Sequence, residues 1–396
     1  MEKNRLLFID NLRILLIALV AMIHLSITYG GAGSWYYKEV VEPDAVSFVA
    51  LCWHNATVQS FSMGLFFMIA GYFTPGSYDR KGPRLFLKDR LLRLGIPMLC
   101  YDFLIGPLVA YPLIKVGAWG SAGSYVGYLG RYYSGFHIGT GPLWFVEALL
   151  IFAVCYALWR ALGGRLKGAA FGHGPSDPKI APADEKSEVC SLSSVLCPLF
   201  FALALGVVSF IVRIWLPLGW SFGPLNFQFP FFPQYICMFI VGIVAYRCNW
   251  LTRIPDAMGR FWLFMAVTSV FVFFPILFVA GGAPTGDITK FAGGFHWQCL
   301  GYALWEQFTG VALIVALPAL FHKWLNRQGK LTAAMSASAY TAYIIHGPVI
   351  ILVALAIRNI SLYPLVKFAL AVAISVPLCF AVANVIRKLP PARRIL

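Results

Sequence analysis

The sequence predicts an all-α integral membrane protein of about ten transmembrane helices, on three observations. Of its 396 residues, 60% are hydrophobic and only 12% are charged. A soluble chain carries about 25% charged residues, so too little polar surface is present to cover a water-soluble globule of this size. Apolar windows of roughly 20 residues, the length that crosses a hydrocarbon core, recur along the chain. The 31 Lys+Arg gather in alternate connections between these windows, which is how basic residues set the orientation of membrane helices. The formal net charge of +15 is therefore read as a topology signal, and no nucleic-acid-binding motif accompanies it.

The first window, 10–30, opens with Asp10 and Arg13 and continues for about 20 residues, which excludes a cleaved signal peptide. Residues 44–56 read as an amphipathic or re-entrant piece before the second span, 57–75. The basic stretch YDRKGPRLFLKDRLLRLGIP follows, and its Pro97 marks entry into the third span, 95–117. GPLWFVEALLIF opens the fourth, 142–162. Gly, Pro and charge dominate 163–192, which reads as a mobile cytoplasmic linker between two groups of spans within one domain, 1–396. Six more windows complete the set: 194–216, 229–247, 261–281, 298–321, 336–357 and 364–386. With the N-terminus inside, Arg80, Arg84, Lys88, Arg90, Arg93, Arg160, Arg253, Arg260, Lys323 and Arg387 all fall on the inner side, so both termini are expected in the cytoplasm. The nine cysteines make no CxxC pair, so neither a disulfide framework nor a zinc site is indicated. Walker A, GxSxG, HExxH and dinucleotide fingerprints are absent from the sequence.

Ionisable residues inside membrane spans are costly, and each is a candidate for function. The set is Asp10, Arg13, His24, Asp102, Glu147, Arg213, Glu306 and His346. Arg13 and His24 are eleven residues apart, about three helical turns and a rise of roughly 16 Å, so they share one helix face. Asp10 lies one turn before Arg13 and can pair with it. A histidine takes a proton from a hydroxyl near neutral pH, and an arginine holds a phosphate or carboxylate without losing its charge. This polar seam suits a substrate whose anionic end stays inside while its reactive end reaches into the membrane. Arg90 and Arg93, with Arg84 and Lys88 on the preceding turns, suit a phosphate grip as well as they suit plain topology. Trp144 stands beside Glu147, and Trp305 beside Glu306. The two acids can bind an acceptor hydroxyl, orient His24, or neutralise Arg13 or Arg213. His346 precedes Gly347-Pro348, which reads either as a helix hinge or as a site. Outer-loop aromatics including Trp35, Tyr36 and Tyr37 read as an interfacial belt or as a platform for a sugar ring.

Five stretches, in order, resemble one known family. They are FIDNLRILLIALVAMIH, SFSMGLFFMIAGYF, DRLLRLGIP, GPLWFVEALLIF and YTAYIIHGPVI. Together they are similar to the type-3 acyltransferases, multi-span membrane enzymes, in their stand-alone form. SFSMGLFFMIAGYF and RLGIPML are most similar to the branch that succinylates periplasmic glucans. The resemblance implies helices enclosing a transmembrane acyl-CoA tunnel in a cell membrane. It implies acetyl-CoA or succinyl-CoA as donor substrate, no permanently bound cofactor or metal, and a carbohydrate or other hydroxyl acceptor. Arg13, Arg84, Arg90 and Arg93 are then expected to hold the donor, and His24 to act as base with Glu147 and Glu306 in support. Trp144, Trp305, His346 and Asp10 are expected to touch substrate. Transfer in a ternary complex and an acyl-His24 intermediate both remain open. A secondary transporter of a small anionic or sugar-like substrate is the competing expectation, and it requires inverted repeats.

Overall fold

The computed structural model describes residues 5–118, 124–134, 141–166, 192–223, 225–283, 288–393 and 395. The linker expected at 163–192 lies mostly outside the described residues. Among the described residues the only extended pairing is one isolated bridge, Phe222 to Phe227, and nine runs are long and apolar enough to cross a bilayer. The protein is thus a multi-pass helical membrane protein.

The spans are α1 (Leu7–Thr28), the run begun by α2 (Ala45–Arg90), α6 (Trp144–Leu166), α7 (Leu192–Trp215), α8 (Phe232–Cys248) and the run of α9 (Asp256–Thr268) and α10 (Phe274–Ala280). They continue with α12 (Trp297–Trp324), α13 (Lys330–Ala356) and α14 (Pro364–Ile386). Short helices α5 (Tyr125–Ser134), α11 (Thr289–Ala292) and α15 (Pro390–Arg393) decorate the connections.

The count of nine differs from the expected ten because Ala45–Lys115 is one run of 71 residues. It holds α2, α3 (Ile96–Cys100), α4 (Gly106–Lys115) and two π turns, Leu91–Gly95 and Tyr101–Ile105. At about 1.5 Å per residue it would be about three and a half hydrocarbon cores long if straight. It bends at Gly82 (φ 70, ψ 169), in the left-handed region where a missing Cβ removes the penalty. The first arm is antiparallel to α1, since Ser26 meets Leu51 and Arg13 meets Phe73. The second arm follows α13 upward: Tyr340 binds the carbonyl of Arg93, Tyr101 lies by Gly347, and Leu113 clusters with Ile351 and Ala354. Since α13 runs parallel to α1, through Arg5 to Ser336 and His24 to His346, the two arms run in opposite directions. They correspond to the second and third expected spans. Residues 45–56 are no re-entrant piece. They are the first turns of α2, started by an N-cap in which the Asp44 carboxylate accepts from the Ser47 N–H at 3.0 Å.

The face at which α1 begins is called proximal here, and the face at which it ends distal. α12 and α13 are the most enclosed helices, whereas α7, the α9–α10 run and α14 leave broad apolar faces open to lipid. α2 and α8 touch backbone to backbone. A methyl on Gly71 would stand 2.1 Å from the Phe239 carbonyl oxygen, and one on Gly242 would stand 2.1 Å from that of Met68. Hydrophobic contraction between helices is weak in lipid, so such small-residue contacts carry much of the association.

The three π turns among the described residues, Leu91–Gly95, Tyr101–Ile105 and Ser269–Phe273, leave carbonyls that an α-helix would bond, and an aromatic donor takes at least one in each. Tyr340 donates to the Arg93 carbonyl at 2.7 Å, Tyr132 and Tyr133 to those of Asp102 and Phe103 at 2.7 Å, and the Trp305 indole to that of Ser269 at 3.0 Å.

Candidate active site

α1 is fixed at its proximal end before it carries any chemistry. Its orphan Phe8 N–H donates to the Asn326 side chain, and Asn11 donates to the carbonyls of Leu325 and Arg327. Asp10 then divides its two oxygens between Arg5, at 2.6 Å, and Arg13, at 3.3 Å. The pairing expected one turn apart is present. Arg13 also lies over the Phe73 ring, 5.0 Å from its centroid, an arrangement that favours a cation. Its side chain keeps 36% exposure, so it has donors to spare for a ligand.

Three turns on, His24 meets an aromatic cluster from four parts of the chain. Trp35, from the connection after α1, stacks on the imidazole with centroids 3.7 Å apart and planes 17° off parallel. His346 of α13 lies 5.3 Å away at 20°, and Trp35 to His346 is 6.3 Å. Tyr343, one turn before His346, donates its hydroxyl to the Pro142 carbonyl at 2.5 Å, and Phe145 packs against it. The start of α6 is thereby locked to α13. Gly347 has no side chain to fill the space beside Tyr101, Pro142 and Trp35. The Nδ1 of His346 is bonded to the Tyr343 carbonyl. A carbonyl can only accept, so Nδ1 carries the hydrogen and Nε2 of the neutral ring is a lone pair. The Nδ1 of His24, the Nε2 of His346 and the Nε1 of Trp35 are all buried without a partner. His24 itself keeps partial exposure. α13 stays helical through Pro348, so the hinge reading of His346 gives way to a rigid placement.

The connection bearing Trp35 is held down at its far end. Lys367 of α14 pairs with Glu39, and the Tyr363 hydroxyl donates to Asp44 at 2.8 Å. Burial raises the Tyr36 hydroxyl to about 12, although the Tyr101 hydroxyl beside it pulls the other way. It therefore stays a neutral donor.

The basic residues after Gly82 meet the same helix at its proximal end. Arg93 pairs with Asp89 at 3.1 Å while its backbone is held by Tyr340. Arg90 lies over Phe86 at 5.2 Å, and its Nε is buried without a partner. Arg84 is exposed. Arg5 reaches Ser336, one turn before Tyr340, at 3.2 Å. The Asp10–Arg13 group and the Arg90–Arg93 group thus gather around one stretch of α13.

Not every sequence candidate joins this arrangement. Trp144, on the first turn of α6, stacks on Tyr235 at 5.6 Å, and Glu147 is half-buried on the next turn. Glu306 is committed to Arg213 at 2.5 Å, with the two side chains 1% and 0% exposed. Gln307 donates to Glu306, Gln234 donates to Gln307 and to the Ser60 carbonyl, and the rings of Phe231 and Tyr302 flank the guanidinium. Of the roles open to Glu306, neutralising Arg213 is the one the geometry displays. Trp305 packs 4.3 Å from Phe274 with its indole N–H spent on Ser269. Sequence reasoning did not single out Tyr343 or Tyr101, and it left Trp35 among the belt aromatics. The spacing of Tyr340, Tyr343 and His346 at every third residue was the available signal.

A family model described as an acyltransferase domain, type 3, matches residues 6–384. The chain belongs to the acyltransferase-3 family. The match spans every helix that builds the site, from α1 with Arg13 and His24 to most of α14. No curated protein and no solved structure matches the chain. For this acyltransferase-3 member the family makes acyl transfer at a membrane the relevant chemistry, so a free imidazole in the bundle is the group to be explained.

Proposed function

We propose that this multi-pass cell-membrane protein is an O-acyltransferase using a cytoplasmic acyl-CoA and a hydroxyl acceptor on the other side. The observation that carries the reading is His24: a partly exposed imidazole near the distal end of α1, three turns beyond Arg13. Arg13, Arg84, Arg90 and Arg93 suit the phosphates of CoA at the proximal face, which is the cytoplasmic one in this reading. The thioester then reaches up a passage along α1 to His24. His24 takes the proton of the acceptor hydroxyl, and the oxygen attacks the thioester carbonyl. The carbon–sulfur bond breaks and the proton returns to the departing thiolate, giving an ester and free CoA. Attack by His24 itself, with an acyl-imidazole between, is the alternative order. Trp35 and Tyr36 at the distal mouth suit a carbohydrate ring. The resemblance to glucan-succinylating members makes succinyl-CoA and a periplasmic glucan the first pair to try, with acetyl-CoA next.

The test is transfer of radiolabel from succinyl- and acetyl-CoA by protein in proteoliposomes, followed by mass spectrometry of envelope glycans with and without the gene. The expected result is labelled glycan that disappears with His24→Ala. Labelled substrate crossing the liposome membrane with no covalent product would replace the reading with a transporter.

A further inference from the structure

We propose that His346 is the positioning residue for His24. Its Nε2 accepts the Nδ1–H of His24, so the two imidazoles form one relay anchored on the Tyr343 carbonyl. The inference rests on reading His24 as the base.

The ring geometry comes first. Trp35, His24 and His346 are near parallel, with separations of 3.7, 5.3 and 6.3 Å. A straight stack would put Trp35 much farther from His346 than it is. Trp35 therefore covers the face of His24, while His346 stands at its edge. Two coplanar imidazoles joined by one N–H···N bond of about 2.9 Å have their centroids roughly 5 Å apart. The observed 5.3 Å is that spacing, within a small ring rotation.

The donor and acceptor inventory comes second. The unpartnered buried nitrogens of the cluster are His24 Nδ1, His346 Nε2 and Trp35 Nε1. An indole nitrogen only donates. His346 Nε2 is fixed as an acceptor, because its Nδ1 hydrogen is held by the Tyr343 carbonyl. His346 is thus the one ring of the three that can accept the His24 Nδ1–H. Of the flanking tyrosines, Tyr343 is already committed to Pro142, while the buried Tyr101 hydroxyl, beside Tyr36, is itself unpartnered. Left apart, the two histidine nitrogens each lose their solvation with nothing in return, and one shared hydrogen removes both penalties.

The chemistry follows from that bond. With Nδ1–H held by His346, the lone pair of His24 sits on Nε2, where it meets the acceptor hydroxyl. The imidazolium formed when His24 takes the proton is steadied by a neutral acceptor 1% exposed to solvent. A base oriented by a third group is the logic of hydrolytic triads, here with an imidazole where those sites place a carboxylate.

Three variants and one spectrum test this. His346→Phe keeps ring volume and removes both nitrogens. His346→Asn keeps a donor toward the Tyr343 carbonyl and leaves nothing for His24. His346→Gln reaches the Nε2 position with a carbonyl acceptor. In succinyl- or acetyl-CoA transfer assays, Phe and Asn are expected to lower kcat by about 10²-fold or more with the donor KM little changed, and Gln to recover about 10-fold or more of that loss. Histidine nitrogen NMR of the full chain in nanodiscs is expected to place the His24 hydrogen on Nδ1 and to show a shift of that signal in His346→Phe. A Gln variant no better than Asn, or a His24 spectrum indifferent to residue 346, overturns the proposal. Should the wild-type protein transfer no acyl group, the enzyme reading falls while the spectrum still decides the histidine pair.

Discussion

The Arg213–Glu306 pair and the His24–His346 pair are both polar groups set among helices, and they are finished differently. At the first, a cation and an anion cancel at 2.5 Å, a glutamine chain extends the bonding to α2 and α8, and two aromatic rings cover the guanidinium. At the second, no formal charge needs cancelling, one ring nitrogen is anchored, and His24 stays partly open. A neutralised, enclosed pair holds helices together. A partly exposed imidazole suits proton transfer, the role proposed for His24. Sequence position alone ranks Glu306 and His24 alike, and their surroundings separate them.

That contrast can be broken at either end. The largest effect is expected from His24→Ala: a fall in acyl transfer of about 10³-fold or more, with the melting temperature in detergent unchanged. Activity surviving in that variant would remove the catalytic half of the comparison. Next comes Glu306→Ala, which strands the Arg213 charge and should cost about 3–5 kcal/mol of stability, read as a lower melting temperature. Replacing both partners together, Arg213→Met with Glu306→Leu, should restore most of that loss and keep transfer. If the double variant melts normally but transfers nothing, Glu306 belongs to the chemistry after all. Trp35→Leu removes the ring on His24, a stack worth about 0.5–1.5 kcal/mol. Transfer should drop about 2- to 10-fold, with the melting point held.

The smallest effect concerns Asp44, which caps α2 and meets Tyr363. Hydrogen bonding from Ser47, whose N–H donates to it at 3.0 Å, holds its carboxyl down at about 2, below the usual 3.8. A depressed carboxyl stabilises fully above its unfolded value and loses that contribution as pH falls from about 4 through about 2. Wild type should therefore melt above Asp44→Asn at pH 6, and the gap should close as pH approaches 2. A gap independent of pH would assign the cap to geometry alone.

The spans were legible because each must hide about twenty residues in hydrocarbon; α14 and the start of α12 fall within a residue of expectation. The face shared by Arg13 and His24 was legible because helical periodicity is local. The turn at Gly82 was not, since a positive φ leaves no mark on hydropathy. The bond between Arg213 and Glu306, which are 93 residues apart, was legible only as one of several roles open to the acid, and the seat of Trp35 was not legible, because it depends on a loop folding back onto the helix before it. Residues that meet only through tertiary packing give no sign in a linear reading.

α13 presents Tyr340, Tyr343 and His346 in steps of three, and with them it touches the basic stretch, the start of α6 and the first helix. The helix thus works as a gauge rod between the two ends of the molecule. Each added or deleted residue turns everything beyond it by about 100°. A single alanine inserted after Tyr343 would leave the proximal contacts seated while swinging the imidazole of His346 away from its neighbour. The spacing along this rod, as much as the identity of its side chains, is under constraint.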